Sequence, residues 1–235
     1  MENSELEMTK ANDISDDLDE LKAEDFEMAV HDLIKKYMTE HRRIVFNGNG
    51  YSDEWVAEAA RRGLPNIKSM VEASSALTTE KSIKLFEKFG IFTKVELESR
   101  EEILYETYSK TINIEALTMI EMAKKQILPA VMKYTKTLAD TVIAVKEAGA
   151  DASVQADSLK EISAKLVEAK NALSVLEEKT AKASAYSVEK EKAFYYRDEV
   201  FTAMKALRTP VDALETMVDR AAWPIPTYGE LIFEV

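Results

Sequence analysis

Between Thr93 and Gly149 the sequence has a single proline, Pro129, and no interior glycine. The span opens on Thr93-x-x-Glu96. This is a capping-box pattern, in which a threonine caps the helix start and a glutamate caps back. Further along, Ile120, Ile127, Val131, Tyr134, Leu138, Val142 and Val145 step by seven, four, three, four, four and three. That is the spacing of one buried helix face. A continuous helix over 94–148 would be ~82 Å long at 1.5 Å per residue. A rod of that length cannot bury its stripe on a small globule and needs another rod beside it.

The partner rod follows at once. Gly149 suits a left-handed helix cap, and Gly149-Ala150-Asp151 is short enough to force an antiparallel neighbour. Leu159, Ile162, Leu166, Ala169, Leu173 and Leu176 then form an a/d seam, flanked by Glu161, Lys165, Glu168, Lys170, Glu177 and Lys179. Another seam runs through Val200, Met204, Leu207, Val211, Leu214 and Val218. The fold class is therefore mainly α: a long antiparallel helical hairpin or coiled-coil bundle, with a third segment packing back along it. Stripes of this kind are read as core, not as a cofactor box.

The 235 residues suffice for one or two domains with a real core. No cysteine is present, which excludes disulfides, thiolate nucleophiles and thiolate metal sites, and a cytoplasmic location is expected. No apolar run approaches the length of a membrane span. The start, Met1-Glu2-Asn3-Ser4-Glu5, is acidic where a secretory signal would be basic and then apolar. Residues 1–27 hold eleven acidic and two basic side chains, so they supply −9 of the formal net charge of −12. The helical body is close to neutral, and neither nucleic acid nor membrane is an expected partner.

Residues 1–12 lack periodicity and read as frayed. A short acidic helix is expected from Asp13 to Leu21, and a better one from Glu24 to Glu40, where Phe26, Val30, Leu33, Ile34 and Tyr37 share a face. Ile44-Val45-Phe46 reads as a short strand, closed by Asn47-Gly48-Asn49-Gly50. Ser52 then caps a helix with Trp55 and Ala59 on its inner face, ended by Gly63 and Pro65. Residues 66–77 are irregular or form one helical turn, and Thr79 to Phe89 is a helix ended by Gly90. Ala181–Ser187 fits loop or helix equally. At the far end, Trp223-Pro224-Ile225-Pro226 enforces an extended path, and Leu231-Ile232-Phe233 offers an apolar anchor. The tail is expected to dock with Trp223 and Phe233 buried, and Pro129 to kink or loosen the long helix.

No active site assembles from these residues. Gly48-Asn49-Gly50, near Arg42, Arg43, Arg61 and Arg62, invites a phosphate-cradle reading. It matches neither a Walker A loop nor a dinucleotide fingerprint, so a structural corner is the better reading. His31 and His41 are ten apart, off metal-ligand spacing. Glu96/Glu98 and Glu189/Glu191 would share a face on a strand, but on a helix they diverge by about 200°. The expectation is no catalytic, cofactor-binding or metal-binding residue in this chain.

Two blocks carry a specific likeness. One is Arg43-Ile-Val-Phe-Asn-Gly-Asn-Gly-Tyr-Ser-Asp-Glu-Trp-Val-Ala-Glu-Ala-Ala-Arg-Arg-Gly-Leu-Pro-Asn66, the other Trp223-Pro-Ile-Pro-Thr-Tyr-Gly-Glu-Leu-Ile-Phe233. With Glu98-Ser-Arg100, Asn113-Ile-Glu-Ala-Leu-Thr-Met119 and Ile127-Leu-Pro-Ala130 between them, in this order, residues 14–235 resemble the C-terminal region of type III glutamine synthetases. That family makes glutamine from glutamate, ammonia and ATP through a γ-glutamyl phosphate, with divalent metal ions, in double-ring oligomers. Its catalytic blocks lie upstream of the matching region, so no catalytic or metal residue is carried over.

The resemblance implies residues 13–92 as the end of a catalytic domain, 93–222 as a helical C-terminal domain and 223–235 as an extended docking tail. ATP and Mg or Mn would serve the complete enzyme, with none expected in this chain. Implied partners are the upstream catalytic region and homo-oligomeric ring neighbours. Two alternatives are a free-standing coiled-coil adaptor or assembly protein, and, third, a nucleotide-binding enzyme built on the Gly48 loop.

Overall fold

The computed structural model describes residues 26–226 and 228–233. The expected frayed start over 1–12 and the acidic helix over 13–21 lie outside these residues. The chain divides into two compact units, residues 1–92 and 93–235. All regular structure among the described residues is helical.

The first unit contains α1 (Phe26–Glu40), a 3-10 turn (Arg42–Ile44), α2 (Asp53–Arg61), α3 (Met70–Ser74) and α4 (Glu80–Lys88). Its helix starts follow the capping rules. The side chains of Ser52, Ser69 and Thr79 accept from the backbone N–H groups of Trp55, Glu72 and Ser82. Gly63 and Gly90 end α2 and α4 at φ +72° and +62°, where a Cβ would be strained. The strand expected at Ile44–Phe46 is not formed: Ile44 closes the 3-10 turn, and Val45 is extended but pairs with no neighbouring strand.

The second unit is a bundle of three rods. The first comprises α5 (Lys94–Met122), a π-helical turn (Ala123–Ile127) and α6 (Leu128–Glu147). The Thr93–Glu96 capping box starts it, and Gly149, at φ +78°, ends it. The second rod is α7 (Ser153–Ala183), which returns along the first. A loop over 184–188 then leads into the third rod: α8 (Glu189–Tyr195), a second π turn (Tyr196–Val200) and α9 (Phe201–Met217). Here α8 packs on α5, and α9 on α7.

The core lies where the seams were expected. On α7, Ala169, Leu173 and Leu176 are wholly buried, and on the third rod so are Val200 and Leu214. Val131 is the matching position on the first rod. Between rods, the Tyr196 hydroxyl donates to Asn113 Oδ1 at 3.0 Å. The partly exposed pairs Lys124–Glu177 and Lys179–Glu199, both at 2.6 Å, lie at the rims.

Pro129 loosens the first rod without breaking it. In the π turn just before it, the Leu128 N–H donates to the Ala123 carbonyl, five residues back. The added residue absorbs the donor that proline lacks and the crowding its ring causes. The tail docks in part. Trp223 is buried, but Phe233 is 80% exposed and sits in a short helix, α10 (Tyr228–Phe233), so the extended path holds only up to Pro226. Two prolines fix residues 224–226, but nothing in 228–233 forbids a helical turn.

The Thr180 hydroxyl is buried without a hydrogen-bond partner. Such a group costs stability that an isosteric methyl does not. Thr180→Val is therefore expected to stabilise the bundle by about 1 kcal/mol in urea unfolding.

Candidate functional site

The residues that invited a phosphate reading meet at one corner, and there they serve the fold. Arg62 is the C-cap of α2. Its Nη1 donates to the carbonyl oxygens of Arg43 and Val45, at 2.9 and 2.8 Å. The guanidinium thus satisfies two carbonyls of the segment that leads into the loop. The Arg62 guanidinium also stands over the rings of Phe46 and Trp55, 5.8 and 5.7 Å from their centroids. The two rings stack at 4.2 Å. Cation–π contact and stacking both favour this arrangement.

Glu58, one turn earlier, completes the corner. Its carboxylate accepts from Arg61 Nε and Nη2 and from Arg62 Nε, each at 2.6 Å. The hydrogen bonds from Arg61, and next those from Arg62, lower its pKa from the ordinary 4.5 to about 2. Both α2 arginines thus face a carboxylate of their own helix.

Gly48 is fixed by close approach. A Cβ there would lie 2.5 Å from Phe46 Cζ. Asn49 orders the rest of the loop: its side-chain oxygen accepts from the Tyr51 N–H, and its carbonyl from the Ser52 hydroxyl. This positions Tyr51 with its side chain fully exposed. Asn49, Tyr51 and Arg62 were not singled out from sequence for these roles. The Asn-Gly repeat signals the turn, but no local pattern reveals an arginine that caps carbonyls 17 and 19 residues back.

The carboxylate pairs diverge into separate tasks. Glu96 accepts from the Thr93 N–H and hydroxyl, both at 2.8 Å, and the backbone N–H chiefly lowers its pKa. Glu98 faces Lys94 at 3.6 Å, and Glu189 faces Lys192 at 3.3 Å. His31 is exposed beside Asp32, and His41 stacks on Tyr37. Among the described residues no three His, Asp or Glu side chains are grouped to hold a metal ion. No described helix is long and apolar enough to cross a membrane.

One feature of the second unit has no counterpart in the sequence reading. An apolar groove of about 350 Å³ opens between the first rod and α9, floored by Met119, Met122, Ile127, Leu207 and Val211. The available signal was α5 itself, whose apolar residues are spread around the whole helix.

Two tests follow for the Glu58–Arg62 corner, with Trp55 fluorescence as readout in a Trp223→Phe background. The Glu58 pKa is depressed on folding, so its stabilisation is complete above about pH 4.5 and is lost as pH falls through about 2. Glu58→Gln should remove that acid sensitivity. Gly48→Ala should push the Phe46 ring off Trp55 and destabilise the first unit by about 1–3 kcal/mol, as overpacking does.

Sequence comparison gives the corner and the bundle their context. Residues 29–146 match the family model of the glutamine synthetase C-terminal domain. The chain is 40% identical over 219 residues to a glutamine synthetase of Butyrivibrio fibrisolvens, covering 92% of this chain and 31% of that protein. It is 34% identical over 225 residues to a type-3 glutamine synthetase of Dictyostelium discoideum, covering 92% and 30%. With a glutamine synthetase of Bacteroides fragilis it shares 32% identity over 211 residues, covering 87% and 29%. It thus spans about three tenths of the length of the curated relatives it matches. With just over half of its length matched by the family model, the chain belongs to the glutamine synthetase C-terminal domain family, and a type-3 glutamine synthetase is among its relatives.

Proposed function

We propose that this chain is the structural and assembly part of a glutamine synthetase. In the complete enzyme, ATP would phosphorylate glutamate and ammonia would displace the phosphate. Metal ions and cationic groups must converge on the phosphoryl group in such a reaction. The donor sets described here do not fit that task, because the carboxylates diverge along helices and the α2 arginines bind Glu58. No step of the ligation is therefore assigned to this chain.

One observation carries the reading: the two units bury their side chains very differently. The second unit has a continuous core running from Ile112 to Trp223. In the first, Val71 is the one buried hydrophobic side chain among the described residues. Phe26, Met28, Ile34 and Met38 on α1 are about half exposed or more, and α1 buries no residue at all. An amphipathic helix without a buried face does not hold itself in place. This is the surface expected of a segment completed by more protein, and the upstream catalytic region is the partner that the relatives' length supplies.

The free-standing adaptor lacks comparable support, since an independent module would not leave α1 uncovered. The test is complementation. Purified residues 1–235 should form no glutamine from glutamate, ammonium, ATP and magnesium or manganese. Adding a separately expressed upstream fragment of a related enzyme should restore glutamine formation. Ile34→Asp on α1 should abolish that rescue while leaving the helical content of the bundle unchanged. Turnover by the chain alone, lost in Arg61→Ala, would overturn the proposal.

A further inference from the structure

The sequence places two Asn-Gly pairs back to back, Asn47-Gly48 and Asn49-Gly50, on the exposed loop before α2. Asparagine followed by glycine is open to a reaction that needs only water. The glycine backbone nitrogen can reach the asparagine Cγ, because glycine has no Cβ to block the approach. Chemically the two pairs are alike, but the corner around them treats them differently.

Gly48 is pinned. An added Cβ would meet Phe46 Cζ at 2.5 Å and Cε1 at 2.8 Å, so the ring lies against the glycine backbone. That ring is itself held, stacked on Trp55 at 4.2 Å and with the Arg62 guanidinium 5.8 Å from its centre. To bring the Gly48 nitrogen onto Asn47 Cγ, the bond between the Asn47 Cα and its carbonyl carbon must turn. Gly48 would swing with it and lose its place against the ring.

Gly50 is open: no atom lies within 4 Å of where its Cβ would stand. Asn49, just before it, is set for attack. Its side-chain Oδ1 accepts from the Tyr51 N–H at 3.0 Å. This bond draws electrons away from Cγ and is the donor that a developing oxyanion on Oδ1 requires. The main-chain carbonyl of Asn49 accepts from the Ser52 hydroxyl at 2.9 Å and from the Ser52 N–H at 3.3 Å. Both oxygens of Asn49 are thus held, and Nδ2 is the group that departs.

We propose that Asn49 is a self-modifying site, which deamidates in the folded chain ahead of Asn47. The Gly50 nitrogen attacks Asn49 Cγ. The N–Cγ bond forms, the Cγ–Nδ2 bond breaks, and Nδ2 leaves as ammonia with the proton given up by the Gly50 N–H. A succinimide ring remains, and one water opens it. Cleavage of the N–Cγ bond leaves aspartate, and cleavage at the main-chain carbonyl leaves isoaspartate, whose chain runs on through the side chain. No electron is gained or lost. Aspartate still offers an oxygen to the Tyr51 N–H and adds a negative charge. Isoaspartate lengthens the main chain by one carbon and draws the carbonyl away from Ser52, the N-cap of α2. The exposed Tyr51 then loses its fixed setting. The corner therefore changes its charge and its covalent path with time, and needs no other part of the enzyme to do so.

The test is incubation of the whole chain in mildly alkaline buffer, folded and in urea, followed by peptide mapping. Fragment ions place each gain of one mass unit at residue 47 or 49. In urea the two sites should react at closely similar rates. In the folded chain Asn49 should outpace Asn47 at least about fivefold, the worth of one hydrogen bond at the transition state. It should also react faster than it does in urea. Phe46→Ala frees Gly48, so Asn47 should accelerate while Asn49 keeps its folded-chain rate. Equal rates in the folded chain, or Asn47 ahead, would overturn the proposal. So would an Asn49 slower in the folded chain than in urea, since the Tyr51 bond would then protect and not promote. An Asn47 still slow in Phe46→Ala would likewise reject the ring as the cause of the sorting.

Discussion

Everything in the bundle depends on α7 being packed from two sides. Ala169, Leu173 and Leu176 are wholly buried because the first rod and α9 both close over them. The third rod contributes its own buried row, Val200, Leu207 and Leu214, whereas the apolar residues of α5 are spread around the helix rather than gathered in one stripe. Apolar burial along one central seam is thus the main source of order, and the ion pairs between rods lie on the surface, where each adds little.

The two units solve the same problem differently. In the bundle, side chains bury one another within the unit. At the Gly48 corner, specific polar geometry does the work: one guanidinium closes two carbonyls, caps an aromatic stack and shares a carboxylate with its neighbour. That gives local rigidity without a core. It explains how the first unit holds a defined loop while α1 stays bare.

Most of the fold was legible in the sequence because periodicity and caps are local. The seam positions Ile162, Leu173, Leu207 and Leu214 are buried, and Ser52, Thr79, Thr93 and Gly149 act at the helix ends where they were expected. What failed was decided by distant partners. Val45 has strand-forming chemistry, but its carbonyl is taken by Arg62, 17 residues on. Phe233 has core chemistry, but its helix presents it to solvent. At the corner, the turn was readable and the role of each arginine was not, because arginine spacing carries no information about which carbonyls it will meet. The groove was hidden for a related reason: its walls come from helices far apart in sequence, with Met119 on one side and Leu207 on the other.

The π turn in the first rod also bears on how the chain accommodates changes in length. The buried face of the first rod passes from α5 into α6 across this turn, where five residues close a turn that normally takes four. Removing one residue within 123–127 would let the turn close as an ordinary α turn, with α5 and α6 keeping their rotational setting. Removing one anywhere else along the rod would swing the far half by about 100° and carry its stripe out of the seam. In a rod otherwise locked in phase, these five residues form a joint where the helix tolerates losing a single residue.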